Sequence, residues 1–79
     1  MTDHILDARD MICPMPVLKA GRALKALPAG AVLEVLATDP AAPADFRSFC
    51  AHGGHRLLAE EARPDGVTVL RIEKAGGAA

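Results

Sequence analysis

Cys13-Pro14-Met15-Pro16 is the segment best suited to chemistry, because it sets a thiol at the predicted mouth of a helix. The first turn of a helix has N–H groups without intrahelical partners, and the helix dipole favours negative charge there. A cysteine so placed is expected to ionise more readily than a free one, and the thiolate is the nucleophilic form. A persulfide on the same sulfur carries its charge on the terminal sulfur, so the same donors would favour a loaded form. Arg9 and Lys19 are the nearest cations in sequence. Taken alone, the motif leaves open a cysteine that is only a small buried residue, a common fate of a lone thiol.

Elements that can hold this thiol follow from periodicity. His4 to Ala8 reads as a first strand ending at Arg9-Asp10. From Pro16 to Leu27, Val17, Ala20, Leu24 and Leu27 recur at helical spacing, and Lys19, Arg22 and Lys25 fall on another face. Pro14 and Pro16 both suit a first turn, since proline lacks the N–H that would be unpaired there. Residues before proline are biased towards extended geometry, which applies to Cys13 and Met15, so the helix can begin at Pro14 or Pro16, with Pro16 the favoured start. Pro28-Ala29-Gly30 closes it.

Ala31 to Ala37 predicts a strand that is either covered on both faces or carries Glu34 at a solvent face. Thr38-Asp39-Pro40 breaks that strand, and Pro43-Ala44-Asp45 opens a second helix with Phe46, Phe49 and Cys50 on one stripe. Gly53-Gly54 ends it. His55–Arg63 and Val67–Glu73, joined by Pro64-Asp65-Gly66, predict a hairpin. The order β-α-β-α-β-β predicts an α+β fold, a two-layer α/β sandwich in which two helices cover one face of a mixed four-stranded sheet.

The 79 residues suffice for one small domain, with an ordered core expected over about 4–74 and a flexible tail over 75–79. Apolar residues make up 51% and charged ones 24%, as in soluble globular proteins. The net charge of -1 and two phenylalanines as the only aromatic rings argue against direct nucleic-acid binding, and no apolar stretch is long enough for a membrane. Met1-Thr2-Asp3-His4 lacks the positive start and apolar run of a secretory signal, so a cytoplasmic location is expected.

Leu6-Asp7-Ala8-Arg9, Cys13-Pro14-Met15-Pro16-Val17-Leu18-Lys19, Gly30 to Leu36, Thr38-Asp39-Pro40, Asp45 and Gly54-His55 together resemble successive blocks of the TusA/SirA sulfur-carrier family. The resemblance runs from about Leu6 to Lys74. It implies that Cys13 accepts sulfane sulfur as a persulfide from a cysteine desulfurase or rhodanese and relays it to an acceptor protein, with Pro14 and Pro16 fixing the thiol. No cofactor is implied. Members serve tRNA thiolation, molybdenum-cofactor assembly or sulfur oxidation, and the resemblance does not choose among them; selenium as cargo stays open. One departure is Asp10-Met11 where the family usually has Gly-Leu. If that glycine takes positive φ, Asp tolerates the geometry, while its carboxylate would oppose thiolate formation.

Arg9, Lys19, Arg22 and Lys25 are candidates for partner docking, set against an ordinary solvated face. Cys50 reads as a core residue, with a second redox thiol as its rival. Cys50, His52 and His55 form a C-x-H-x-x-H cluster interrupted by glycines and without a nearby fourth ligand, so no metal site is expected. The other function classes are a non-catalytic protein- or RNA-binding regulatory module with a structural Cys13, and a thiol-disulfide oxidoreductase using both cysteines.

Overall fold

The computed structural model describes residues 4–75. Strands β1 (His4–Ala8), β2 (Val32–Ala37), β3 (Arg56–Ala62) and β4 (Thr68–Glu73) alternate with helices α1 (Met15–Lys25) and α2 (Ala42–Gly53) in the predicted order. The sheet runs β1-β2-β4-β3, with β1 parallel to β2 and the other neighbours antiparallel. Parallel strands need a crossover, which α1 supplies; β3 and β4 need only the Arg63–Gly66 turn.

Alternation decides which face is covered. Leu33, Val35 and Ala37 of β2 stand beside Ile72 and Leu70 of β4, and all five join Ala20 and Leu24 of α1 and Ala42, Phe46 and Cys50 of α2 in one buried cluster. Both helices therefore lie on the same side. The opposite face carries the intervening residues, including Glu34, which accepts from Arg71 Nε at 3.0 Å. Of the two readings of Glu34, the acid at the uncovered face is the one found.

Helix α1 differs from the expectation at both ends. It starts at Met15, with Pro14 as the N-cap and Pro16 in the first turn. The Met15 N–H donates to Ile12 O at 2.9 Å, closing a turn that draws Met15 into the helix despite the proline after it. Its last helical residue is Lys25, and Leu27 packs against the core from beyond the helix end. Lys74 Nζ donates to the carbonyls of Leu24 at 2.6 Å and Leu27 at 3.0 Å, satisfying orphan acceptors where a cation is favoured. The predicted tail lies outside the described residues except for Ala75, whose N–H donates to His55 Nδ1 at 2.8 Å.

Between β1 and α1, Asp10 has φ 68° and its N–H donates to Thr38 Oγ1 at 2.8 Å. The departure from glycine thus falls at a left-handed position, where Asp is tolerated and a β-branched residue is not. Asp10→Val is expected to lower stability by about 1–2 kcal/mol and Asp10→Gly to be near neutral, as read by urea denaturation.

Candidate functional site at the mouth of helix α1

Cys13 is exposed on the loop into α1, with its sulfur free. The loop is tied to the start of α2 through Asp39: the Cys13 N–H donates to Oδ2 at 2.7 Å and the Ala41 N–H to Oδ1 at 3.0 Å. These two bonds hold the Asp39 carboxyl below its ordinary pKa, the Ala41 N–H being the larger cause. One short acidic side chain thereby fixes the thiol loop to the turn that opens the second helix. Sequence reading recognised Thr38-Asp39-Pro40 as a strand breaker and missed this role; an Asx residue in a Pro-containing turn was the available signal.

Cys13, Pro14 and Val17 share a shallow depression of about 290 Å³ with Asp45, Ser48, Phe49 and His52 of α2. Near Cys13 in sequence, Ile12 72%, Met15 42% and Leu18 56% are exposed apolar side chains. A second groove of about 500 Å³ continues along α1 past Met15, Leu18, Lys19, Arg22 and Lys25, and Val17 and Phe49 belong to both. Three of the four proposed docking cations thus line one channel with the thiol at its end. Arg9 is not among them: its Nε and Nη2 each donate to the Asp7 carboxylate at 2.8 Å.

The expectation of a readily ionised thiol is reversed. The Asp45 carboxylate in the same depression, desolvation and the charge of Asp39 all push the Cys13 thiol above its ordinary pKa. The donors expected at the helix mouth are thin. Prolines occupy two positions, Met15 N–H goes to Ile12 and Cys13 N–H to Asp39, which leaves Val17 N–H as the unpaired donor of that turn among the described residues. Two carboxylates at the thiol outweigh a helix dipole with so few free donors, and no cation acts on the sulfur. Asp10, the acid suspected from sequence, is not among the groups acting on Cys13.

Cys50 is 3% exposed in the core cluster, and burial pushes its thiol up as well. His52 Nδ1 donates to the Ser48 carbonyl at 2.8 Å, and His55 stacks on Phe49 with ring centroids 5.4 Å apart. The C-x-H-x-x-H residues therefore do not converge, and no group of three metal-ligating side chains occurs among the described residues. Nor is any helix among those residues long and apolar enough to cross a membrane.

Comparison with known proteins fits this geometry. The family model described as Sulfurtransferase TusA matches residues 4–74, nearly the whole chain. The chain belongs to the TusA family. Among similar TusA-family proteins is the sulfur carrier protein TusA of Pseudomonas syringae pathovar syringae, 45% identical over 72 residues that cover 91% of this chain and 84% of the relative. That of Allochromatium vinosum is 43% identical over 56 residues, 71% of this chain and 74% of the relative. The crystal structure of a SirA-like protein from Desulfitobacterium hafniense superposes with a TM-score of 0.79 at 25% identity, covering 90% of this chain and 96% of that one. The two-layer α+β architecture is thus the TusA/SirA fold.

Proposed function

We propose that the chain relays sulfane sulfur, Cys13 being the covalent acceptor that carries it as a persulfide between a donor protein and an acceptor protein. The observation that carries this reading is an exposed cysteine of a TusA-family chain at the end of an open channel, while the other cysteine is sealed in the core. Transfer needs a thiolate to attack a donor persulfide, with the donor's own thiolate as leaving group. A raised thiol pKa lowers the thiolate fraction in the free carrier, so docking has to help. The exposed apolar side chains Ile12, Met15 and Leu18 can be desolvated by a partner, and Lys19, Arg22 and Lys25 offer charge to an acidic one.

The donor is a cysteine desulfurase or rhodanese-type protein, the acceptor a further sulfur-relay protein, and the setting a reducing cytoplasm where the thiol persists. Delivery to tRNA thiolation, cofactor assembly or sulfur oxidation depends on that acceptor. Neither a cofactor nor a metal enters the transfer, and Pro14 and Pro16 serve by shaping the first turn around the thiol.

The docking part of the proposal has its own test. Arg22→Glu is expected to slow transfer from a donor protein roughly tenfold at low salt, with the effect shrinking as salt rises, while loading from a small persulfide stays unchanged. Equal protein-to-protein rates for Arg22→Glu and wild type would remove the channel from the docking surface.

A further inference from the structure

The carboxylates beside the thiol are unexpected for a site that must hold a negatively charged sulfur. Asp45 lies in the first turn of α2 and lines the same depression as Cys13. Asp39 is locked into place by the Cys13 and Ala41 N–H groups. Neither acid makes an ion pair among the described residues. Of the other titratable groups, His52 shares the depression, Lys19, Arg22 and Lys25 line the neighbouring groove, Arg9 is held by Asp7, and Asp10 sits on the loop before Cys13. Asp45 therefore brings a carboxylate without an ion-pair partner into the depression of the thiol, and Asp39, held by two N–H donors, adds a second acid at the Cys13 backbone.

We propose that Asp45, with Asp39 behind it, sets how tightly the carrier holds its sulfur, by favouring the neutral empty thiol over the anionic loaded persulfide. The inference rests on the carrier reading above and assigns a role within it. Loading from a small persulfide is R–S–S⁻ + Cys13–SH → Cys13–S–S⁻ + R–SH. The bond between R–S and the sulfane sulfur breaks, a bond to Cys13 Sγ forms, and the thiol proton goes to the departing thiolate; nothing is oxidised overall. On the protein, charge appears only in the product. A carboxylate beside Sγ therefore weighs against the loaded state and not against the empty one, and it acts through charge rather than by contacting the donor. The raised thiol pKa is the same effect seen in the empty carrier, where the thiolate is the disfavoured anion. A carrier tuned this way gives up its sulfur readily, as a relay between two partners requires.

Asp45 is a positioning charge, so its test needs readouts that a merely structural role would not move. Wild type, Asp45→Asn, Asp45→Ser and Asp45→Glu are equilibrated at neutral pH with glutathione persulfide and glutathione in fixed ratio, and the loaded fraction is read by intact mass. In parallel, the pH profile of Cys13 alkylation by iodoacetamide is recorded. Both neutral variants are expected to raise the loaded-to-empty ratio roughly two- to fivefold, the span one charge at an exposed site supports, and to move alkylation to lower pH. Asp45→Glu returns both towards wild type, and the difference shrinks at about 1 M salt, where the screening length is roughly 3 Å. Variants that load with the wild-type ratio and profile, or a Glu variant that behaves like Asn, would overturn the role of Asp45 and leave the carrier reading standing. A wild-type chain that takes up no sulfur at all would remove both.

Discussion

Cys13→Ser is expected to abolish sulfur uptake and transfer, with rates falling at least about a thousandfold to the background of the assay. The reason lies in the chemistry of the replaced atom. Disulfide and persulfide exchange proceeds by thiolate attack on sulfur, and a serine hydroxyl neither ionises near neutral pH nor forms a bond that a second thiolate can reverse. Cys50 offers no substitute, because it belongs to the buried core cluster with 3% of the residue exposed. Loss in Cys13→Ser combined with full activity in Cys50→Ala is the expected pattern, measured as radiolabelled sulfur passed from a cysteine desulfurase to the carrier. If Cys50→Ala alone lost activity, the dithiol reading would have to return. A Cys13→Ser protein that kept a regulatory binding activity and an intact wild type that never took up sulfur would instead favour the binding-module class.

Phe46→Ala is expected to be the most damaging single core truncation, lowering stability by about 3–5 kcal/mol and leaving little of the marginal stability of so small a domain. Phe46 is fully buried, the largest side chain in the core, and meets Phe49 edge to face with centroids 6.2 Å apart. It fixes α2 against the sheet, and α2 brings Asp45, Ser48 and His52 to the thiol. Urea denaturation followed by circular dichroism checks the loss; a decrease under about 1 kcal/mol would mean that the core closes over the gap more easily than its packing implies.

Much of this architecture could be read from local pattern, because the chain uses local signals where the fold needs them. Apolar spacing marked the buried stripe of α1 through Ala20 and Leu24 and that of α2 through Phe46 and Cys50. Gly54, at φ 75° in the C-cap of α2, ends that helix in a conformation that glycine tolerates best. Asp10 takes the left-handed geometry that the sequence left conditional on the family glycine having positive φ.

The misreadings arose where a distant residue decides. Met15 was expected to be extended from its proline neighbour, and a turn bond from Ile12 made it helical. The cap that Lys74 places on α1 comes from the far end of the chain. The charge environment of Cys13 was read from Arg9, Lys19, Asp10 and the helix dipole, all near in sequence, whereas the groups that act on it are Asp45 and Asp39, far along the chain. The cysteine itself was legible from its motif; its electrostatics were not.

The most direct test of the central claim is the intact mass of the wild-type protein after incubation with a cysteine desulfurase and cysteine, taken before and after dithiothreitol. A gain of one sulfur mass that dithiothreitol removes, found in Cys50→Ala and absent in Cys13→Ala, is the result expected of a carrier that holds sulfur on Cys13. No gain from several desulfurases, from rhodanese-type donors or from small persulfides would contradict it.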